Sequence, residues 1–378
     1  MEKPQRLTTA WTLAWLCVLV IVYASLYPFQ DWRNQGIPPW SFISASWPPY
    51  QTVFDISSNL LGYVPLGFWL SLAMLRSAKP RWAAVWLGVL GACLLSFGME
   101  SLQSYLPQRV PSQVDWLFNS LGGLGGAVAA AWLERRGWLY RWVQFRQRWL
   151  VPHASASLVL MALWPLAVLF PTPLFLGLGN VMEKLLSWLQ AFGPQASWPA
   201  QLLQKFYLPA PLPSLVEMLC VAASVFVAAL LGMAVVREAW QRLCWASLVV
   251  VLALISKALS AAVTYGPEHT GFWFTPVIAA GLALGFLLAL VAVKWRALVL
   301  MRWMVWTQTG LLVVLNLVPT STYFAQTVQT WEQSKFIRFH GLTEWLSWAW
   351  PFALLAWGVT YLLSDKARHE APLESVYD

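Results

Sequence analysis

Seven polar residues stand where a bilayer-embedded chain should carry none. Asp55 and Asn59, Glu100 and Gln103, Arg109, and Asp115 and Asn119 lie in or beside long apolar stretches. Residues three or four apart share one face of a helix, so each pair presents two polar groups together. An ionisable group inside a span costs a few kcal/mol and is a functional suspect by default. Glu100 is the candidate general acid or base, with Gln103 beside it in the same catalytic group. Arg109 is the nearest cation, suited to hold a carboxylate or a phosphate in a two-pronged grip. Asp55, Asn59, Asp115 and Asn119 are candidates to bind substrate, orienting a headgroup or holding a divalent cation. Aspartate at a helix start also caps free backbone N–H groups, which accounts for Asp55 and Asp115 without any ligand. No zinc pattern, glycine-rich phosphate loop or serine elbow is visible, so no metal site is assigned, and the cofactor stays unknown.

An internal repeat ties these residues together. Asp55-Ile-Ser-Ser-Asn59-Leu-Leu-Gly62 aligns without a gap on Asp115-Trp-Leu-Phe-Asn119-Ser-Leu-Gly122, sixty residues later. Ser41 and Ser44 match Ser101 and Ser104 at the same offset. Each copy reads as a helix, a connection, and Asp-x-x-x-Asn opening a second helix. Gly122, Gly123, Gly125, Gly126 and Ala130 give the small-residue spacing that lets another helix approach closely, which is packing rather than chemistry. Pro65 and Gly67 predict a bend in the preceding helix.

The elements that must position these groups are membrane spans. Hydrophobic residues are 59% of 378 and charged residues 11%, against about 25% charged in soluble domains. The apolar residues come in long blocks rather than stripes, and 27 tryptophans suit the membrane–water boundary. The fold class is an all-α, polytopic transmembrane helix bundle of about ten spans. They cover approximately 9–29, 56–75, 82–106, 115–133, 155–177, 214–236, 243–264, 273–293, 298–318 and 343–363. Basic residues alternate with sparse connections. Lys3 and Arg6, Arg76, Lys79 and Arg81, the run from Arg135 to Arg148, Arg237 and Arg242, Lys294 to Arg302, and Lys366 and Arg368 mark one side. The positive-inside rule makes that side, with both termini, cytoplasmic. The seven polar residues then converge at the outer end of one bundle. Gly179–Pro213 and Thr322–Thr343 read as outer segments, either interfacial helices or solvated loops. The four cysteines sit in apolar blocks and read as buried hydrophobes, not disulfides.

The sequence at these residues resembles the VanZ-like family. The resemblance rests on Tyr27-Pro28-Phe29, Asp55-x-x-x-Asn59 running into Val64-Pro65-Leu66-Gly67-Phe68, Glu100-x-x-Gln103, Pro107-x-Arg109, and Asp115-x-x-x-Asn119 with Gly122-Gly123. It covers residues 10–135 or so. The family is named for a membrane protein of a glycopeptide-resistance cluster that confers teicoplanin resistance. The resemblance implies a site and an antibiotic-resistance or cell-envelope setting rather than a reaction.

Two domains are expected, a VanZ-like four-helix membrane domain over 1–150 and a six-helix membrane domain over 151–378. The second has its own polar residues, Glu217 and Lys257, as secondary site candidates that could pair, and Asn316 further on. Three functions compete. One is an envelope enzyme acting at the outer leaflet of the bacterial cytoplasmic (inner) membrane on a lipid-linked or glycopeptide-related target. Another is a structural or accessory membrane protein whose polar cluster only packs. The third is a lipid or small-molecule transporter, against which the crowding of charge at one end counts. Membrane lipids, and a lipid-linked envelope precursor in the first reading, are the expected partners. The net charge of +8 is spread through short turns and is no nucleic-acid footprint.

Overall fold

A computed structural model describes residues 9–27, 29–47, 52–151, 154–190, 201, 213–318, 327–331 and 337–370. Lys3, Arg6, Pro28, His153, Trp198, Phe206, Glu332 and Lys335 lie outside the described residues. The chain divides into two compact units, Met1–Phe145 and Arg146–Asp378.

The N-terminal unit is built on α1 (Thr9–Leu26), α2 (Val53–Arg76), α3 (Arg81–Gln103) and α4 (Gln113–Arg135). Thr52 and Ser112 start α2 and α4 by accepting hydrogen bonds from the free N–H groups of the first turn. Lys79-Pro80 separates α2 from α3, since proline ends one helix and starts the next without needing its missing N–H. Helix α2 runs unbroken through Pro65.

Helix α4 packs most extensively on α2, and glycine makes that possible. A Cβ on Gly122 would overlap the carbonyl of Leu60, one on Gly126 that of Val64, and one on Gly67 that of Gly123. The matches of Leu60 with Gly122 and Val64 with Gly126 advance together, so α2 and α4 run parallel. Helix α3 is antiparallel to both. Gly88 meets Ser71, and Cys93 meets Trp116. Helix α1 lies along α2 with its start at the far end of α2, where Trp11 donates to the Ser77 hydroxyl. One end of the unit therefore collects the starts of α2 and α4 and the ends of α1 and α3.

The boundary between the units falls within α5 (Trp138–Trp149), an arginine- and tryptophan-rich helix where the sequence suggested only a basic connection. The C-terminal unit contains α6 (Ser155–Leu169), the short α7 (Met182–Gln190), α8 (Ser214–Met233), α9 (Ala239–Tyr265), α10 (Pro276–Ala292), α11 (Ala297–Leu317) and α12 (Ile337–Glu370). Helix α8 is apolar all round, which suits a helix buried by others. Nearly every residue from Cys220 to Met233 is buried. Gly281 and Gly285 bring α10 against Val221, Ala222 and Val225 of α8. Arg242 donates to the carbonyls of Val293 and Trp295, both at 2.8 Å. Those bonds satisfy orphan acceptors just past the end of α10.

Among the described residues seven helices are long and apolar enough to cross a membrane. The segments Ala10–Leu26, Ser155–Leu169 and Pro276–Ala292 are shorter apolar helices. Together they account for the ten stretches read from the sequence. The fifth is shorter than expected. Its helix stops at Leu169, ahead of Pro171 and Pro173, and the chain continues without helix to Val181. Part of the Gly179–Pro213 connection is helical, as α7. Asn316 holds the start of that helix, accepting from the N–H groups of Val181 and Met182 and donating to the carbonyls of Gly179 and Leu312.

Candidate functional site

The antiparallel bundle places all seven sequence candidates of the first unit at one end, at different depths. Glu100 is deepest, with 2% of its surface exposed. Its Oε2 accepts the backbone N–H of Ser112 at 2.9 Å. Ser112 is the cap of α4, so this carboxylate ties the last turn of α3 to the first turn of α4. A carboxylate at a helix N-terminus also meets the positive end of the helix dipole. Gln103, one turn on, is buried and donates to the Ser25 carbonyl at 3.2 Å. Half-buried Arg109 donates to the carbonyls of Tyr27 (2.7 Å) and Ala24 (3.4 Å). Both groups thus satisfy acceptors at the C-terminal end of α1, where a cation is favoured. A small cleft of about 10 Å³, room for about one water, lies between Tyr27, Gln30, Pro107, Gln108 and Arg109.

Asn119 is buried, and its amide donates to the Ser96 hydroxyl at 3.0 Å. Its Oδ1 is buried without a hydrogen-bond partner among the described residues. Tyr63 of α2, 5% exposed, stands beside Ser96 and Glu100. Asp55 lies apart from this interior group. It is exposed, and it closes a capping box with Thr52, accepting the Thr52 hydroxyl at 2.6 Å and its N–H at 3.3 Å. Asn59, on the second turn of α2, and Asp115, on the first turn of α4, are half-buried.

The sixty-residue repeat extends beyond the residues that revealed it. Thr52 and Ser112, also sixty apart, each accept the N–H of the aspartate three residues later. Ser44 donates to the Ser41 carbonyl and Ser104 to that of Ser101. The first serine pair sits in a 3-10 turn (Ser41–Ser44) and the second at the end of α3. Phe42 of that turn is 2% exposed, with its ring 5.7 Å from Phe97 and 6.5 Å from Trp116, so the segment roofs the same end.

Several residues of this group escaped the sequence reading. Thr52 and Ser112 could have been found from the Ser/Thr-x-x-Asp spacing, and Ser96 from its place one turn before Glu100. Nothing in the sequence marks Tyr63 or Phe42.

In the C-terminal unit Lys257 and Glu217 line one cavity but form no ion pair. Among the described residues the ion pairs are Arg81 with Glu134 and Lys184 with Glu344.

These features define a multi-pass, all-α membrane protein whose N-terminal bundle gathers a buried polar network at one end. Residues 8–134, the N-terminal third of the chain, match the family model described as VanZ/LLP1 and are similar to that family. None of the curated proteins and none of the solved structures matches the chain.

Proposed function

We propose that this VanZ-like protein works in the bacterial cytoplasmic membrane, at the outer face, on the headgroup of a lipid-linked or glycopeptide-related envelope molecule. The observation that carries this reading is the placement of Glu100. A carboxylate almost wholly removed from solvent accepts the backbone N–H of Ser112 at the end of a helix bundle, one short loop from Arg109. In this reading Glu100 moves a proton, Gln103 steadies it, and Arg109 holds an anionic group of the substrate. Asn119 offers its free Oδ1, while Asn59, Asp55 and Asp115 line the approach.

A second reading has its own support. Gln103 and Arg109 are bonded to backbone carbonyls of the α1 end, and Asp55 to its own cap. Those bonds make the group a stitching network of an accessory membrane protein, in which polar residues specify helix pairing.

One experiment separates the two. Envelope lipids and lipid-linked intermediates are profiled in a deletion strain complemented with wild type, Glu100→Gln or Arg109→Ala, with protein abundance measured in parallel. The first reading requires a lipid species that shifts in the deletion and in both variants while the variant proteins remain abundant. A profile that changes only when the protein disappears refutes it and leaves the stitching role.

A further inference from the structure

The C-terminal unit holds a cavity of about 280 Å³ between the segment after α6, the start of α8, the end of α9 and the start of α10, near the lower size limit of small-molecule sites. Two opposite charges line it without meeting. Lys257, on α9, is 8% exposed. Among the described residues its ammonium reaches only neutral oxygens, the Phe170 carbonyl and the Thr172 hydroxyl, both at a long 3.4 Å. Glu217, in the first turn of α8, is half-buried, and no cation lies within ion-pair distance among the described residues.

Local structure explains part of this. Lys257 and Ser260 serve the carbonyl end of α6, Ser260 donating to Leu169 at 2.6 Å. Glu217 gains from the dipole of α8. Neither role supplies a counter-charge to a group in an apolar setting, where an unpaired charge is costly. One further group of the lining is unpartnered. The indole N–H of Trp273 is buried without a hydrogen-bond partner among the described residues. Trp273 stacks on Phe175, with centroids 5.0 Å apart, and Phe175 lies 5.9 Å from the Lys257 ammonium.

The complement of a buried cation, a free indole donor, a carboxylate and an aromatic wall is one molecule carrying both charges. We propose that this cavity binds a zwitterion, its phosphate or carboxylate on Lys257 and Trp273 and its primary ammonium on Glu217. Two sources share that chemistry, an ethanolamine phospholipid of the bilayer and a water-soluble zwitterion such as a free amino acid. The proposal concerns the C-terminal unit alone and stands apart from the proposed role of the N-terminal bundle.

The test uses the full chain, purified in detergent and stripped of lipid, and native mass spectrometry to rank binding of phosphatidylethanolamine, phosphatidylglycerol and phosphatidylcholine. Phosphatidylethanolamine is expected to bind about tenfold more tightly than the other two, which lack the cation or the N–H donors. Lys257→Met lowers that affinity about tenfold. Glu217→Gln, on the half-buried rim, keeps the fold and abolishes the preference over phosphatidylglycerol. Competition identifies the source. Displacement by glycerophosphoethanolamine points to the lipid headgroup, and stronger displacement by an amino acid points to the soluble zwitterion. Equal binding of the three lipids with no displacement by either soluble zwitterion overturns the proposal. So does an ethanolamine preference that survives both substitutions.

Discussion

Replacing Gly126 with alanine tests the contact on which the N-terminal bundle is built. The added Cβ would overlap the carbonyl of Val64 and crowd the N–H of Phe68. Both are backbone atoms of a helix and neither can turn aside, so α2 and α4 must separate. Overpacking of this kind costs about 1–3 kcal/mol, set against the roughly 0.5–1 kcal/mol that alanine gains over glycine within a helix. Two controls isolate the contact. A Cβ on Gly125, the adjacent residue, and one on Gly62 meet nothing within 4 Å. Gly125→Ala and Gly62→Ala should therefore leave the protein as stable as wild type or slightly more so. For a domain of this size, each kcal/mol moves the midpoint by about 2–4 °C. Gly126→Ala should then melt roughly 2–12 °C below the two control variants, which share the alanine gain without the overlap, read as loss of monodisperse protein after heating in detergent. If all three variants melt together, the close approach of α2 and α4 is wrong and glycine is not what fixes their spacing.

Other consequences are as direct. Thr52→Ala and Ser112→Ala each remove a cap and should cost about 1 kcal/mol, visible in the same melting assay, with Thr52→Ser retaining most of the stability. Asn316→Leu strips the acceptor from the Val181 and Met182 N–H groups, and should raise hydrogen exchange over residues 182–190 while the core of α8 stays protected. In a background without native cysteines, Val110→Cys, at a site 85% exposed, should react with an impermeant thiol reagent in intact cells. Lys79→Cys should react only after permeabilisation, and the reverse pattern would invert the assigned orientation. If the resemblance to VanZ extends to function, deletion should lower the teicoplanin concentration that stops growth, measured as a minimum inhibitory concentration against the complemented strain.

Much of the fold could be read because hydrocarbon leaves a coarse signature. A span needs only enough apolar residues in a row, and the stretch over 214–236 appears as helix Ser214–Met233. Where the chain departs from a straight crossing the signature fails. The stretch over 155–177 is equally apolar throughout, yet its helix ends before two prolines, and the remainder helps enclose the Lys257 cavity. The spacing rules placed Asp55 and Asn59 on one helix face but could not show that Asp55 turns back to its own cap. That choice depends on Thr52, three residues earlier. The tie between Glu100 and the Ser112 N–H was beyond reach for another reason. It joins two helices, and no periodicity within one helix reports what the neighbour's backbone offers. Glu217 and Lys257 illustrate the same gap, since opposite charge in one bundle suggested a pair, whereas the structure puts both on one cavity without an ion pair.

The duplicated unit of the N-terminal bundle has a consequence for how such a protein could arise. Each copy ends in a helix that starts at the same end of the bundle, so a copy carries the chain across and back. Tandem duplication of an even number of crossings leaves every later segment on its original side. A bundle built of such helix pairs needs no inversion of its charged turns to accept another pair. The two matching helices, α2 and α4, meet along a glycine seam as parallel neighbours, an arrangement that identical helices from separate chains could occupy equally well.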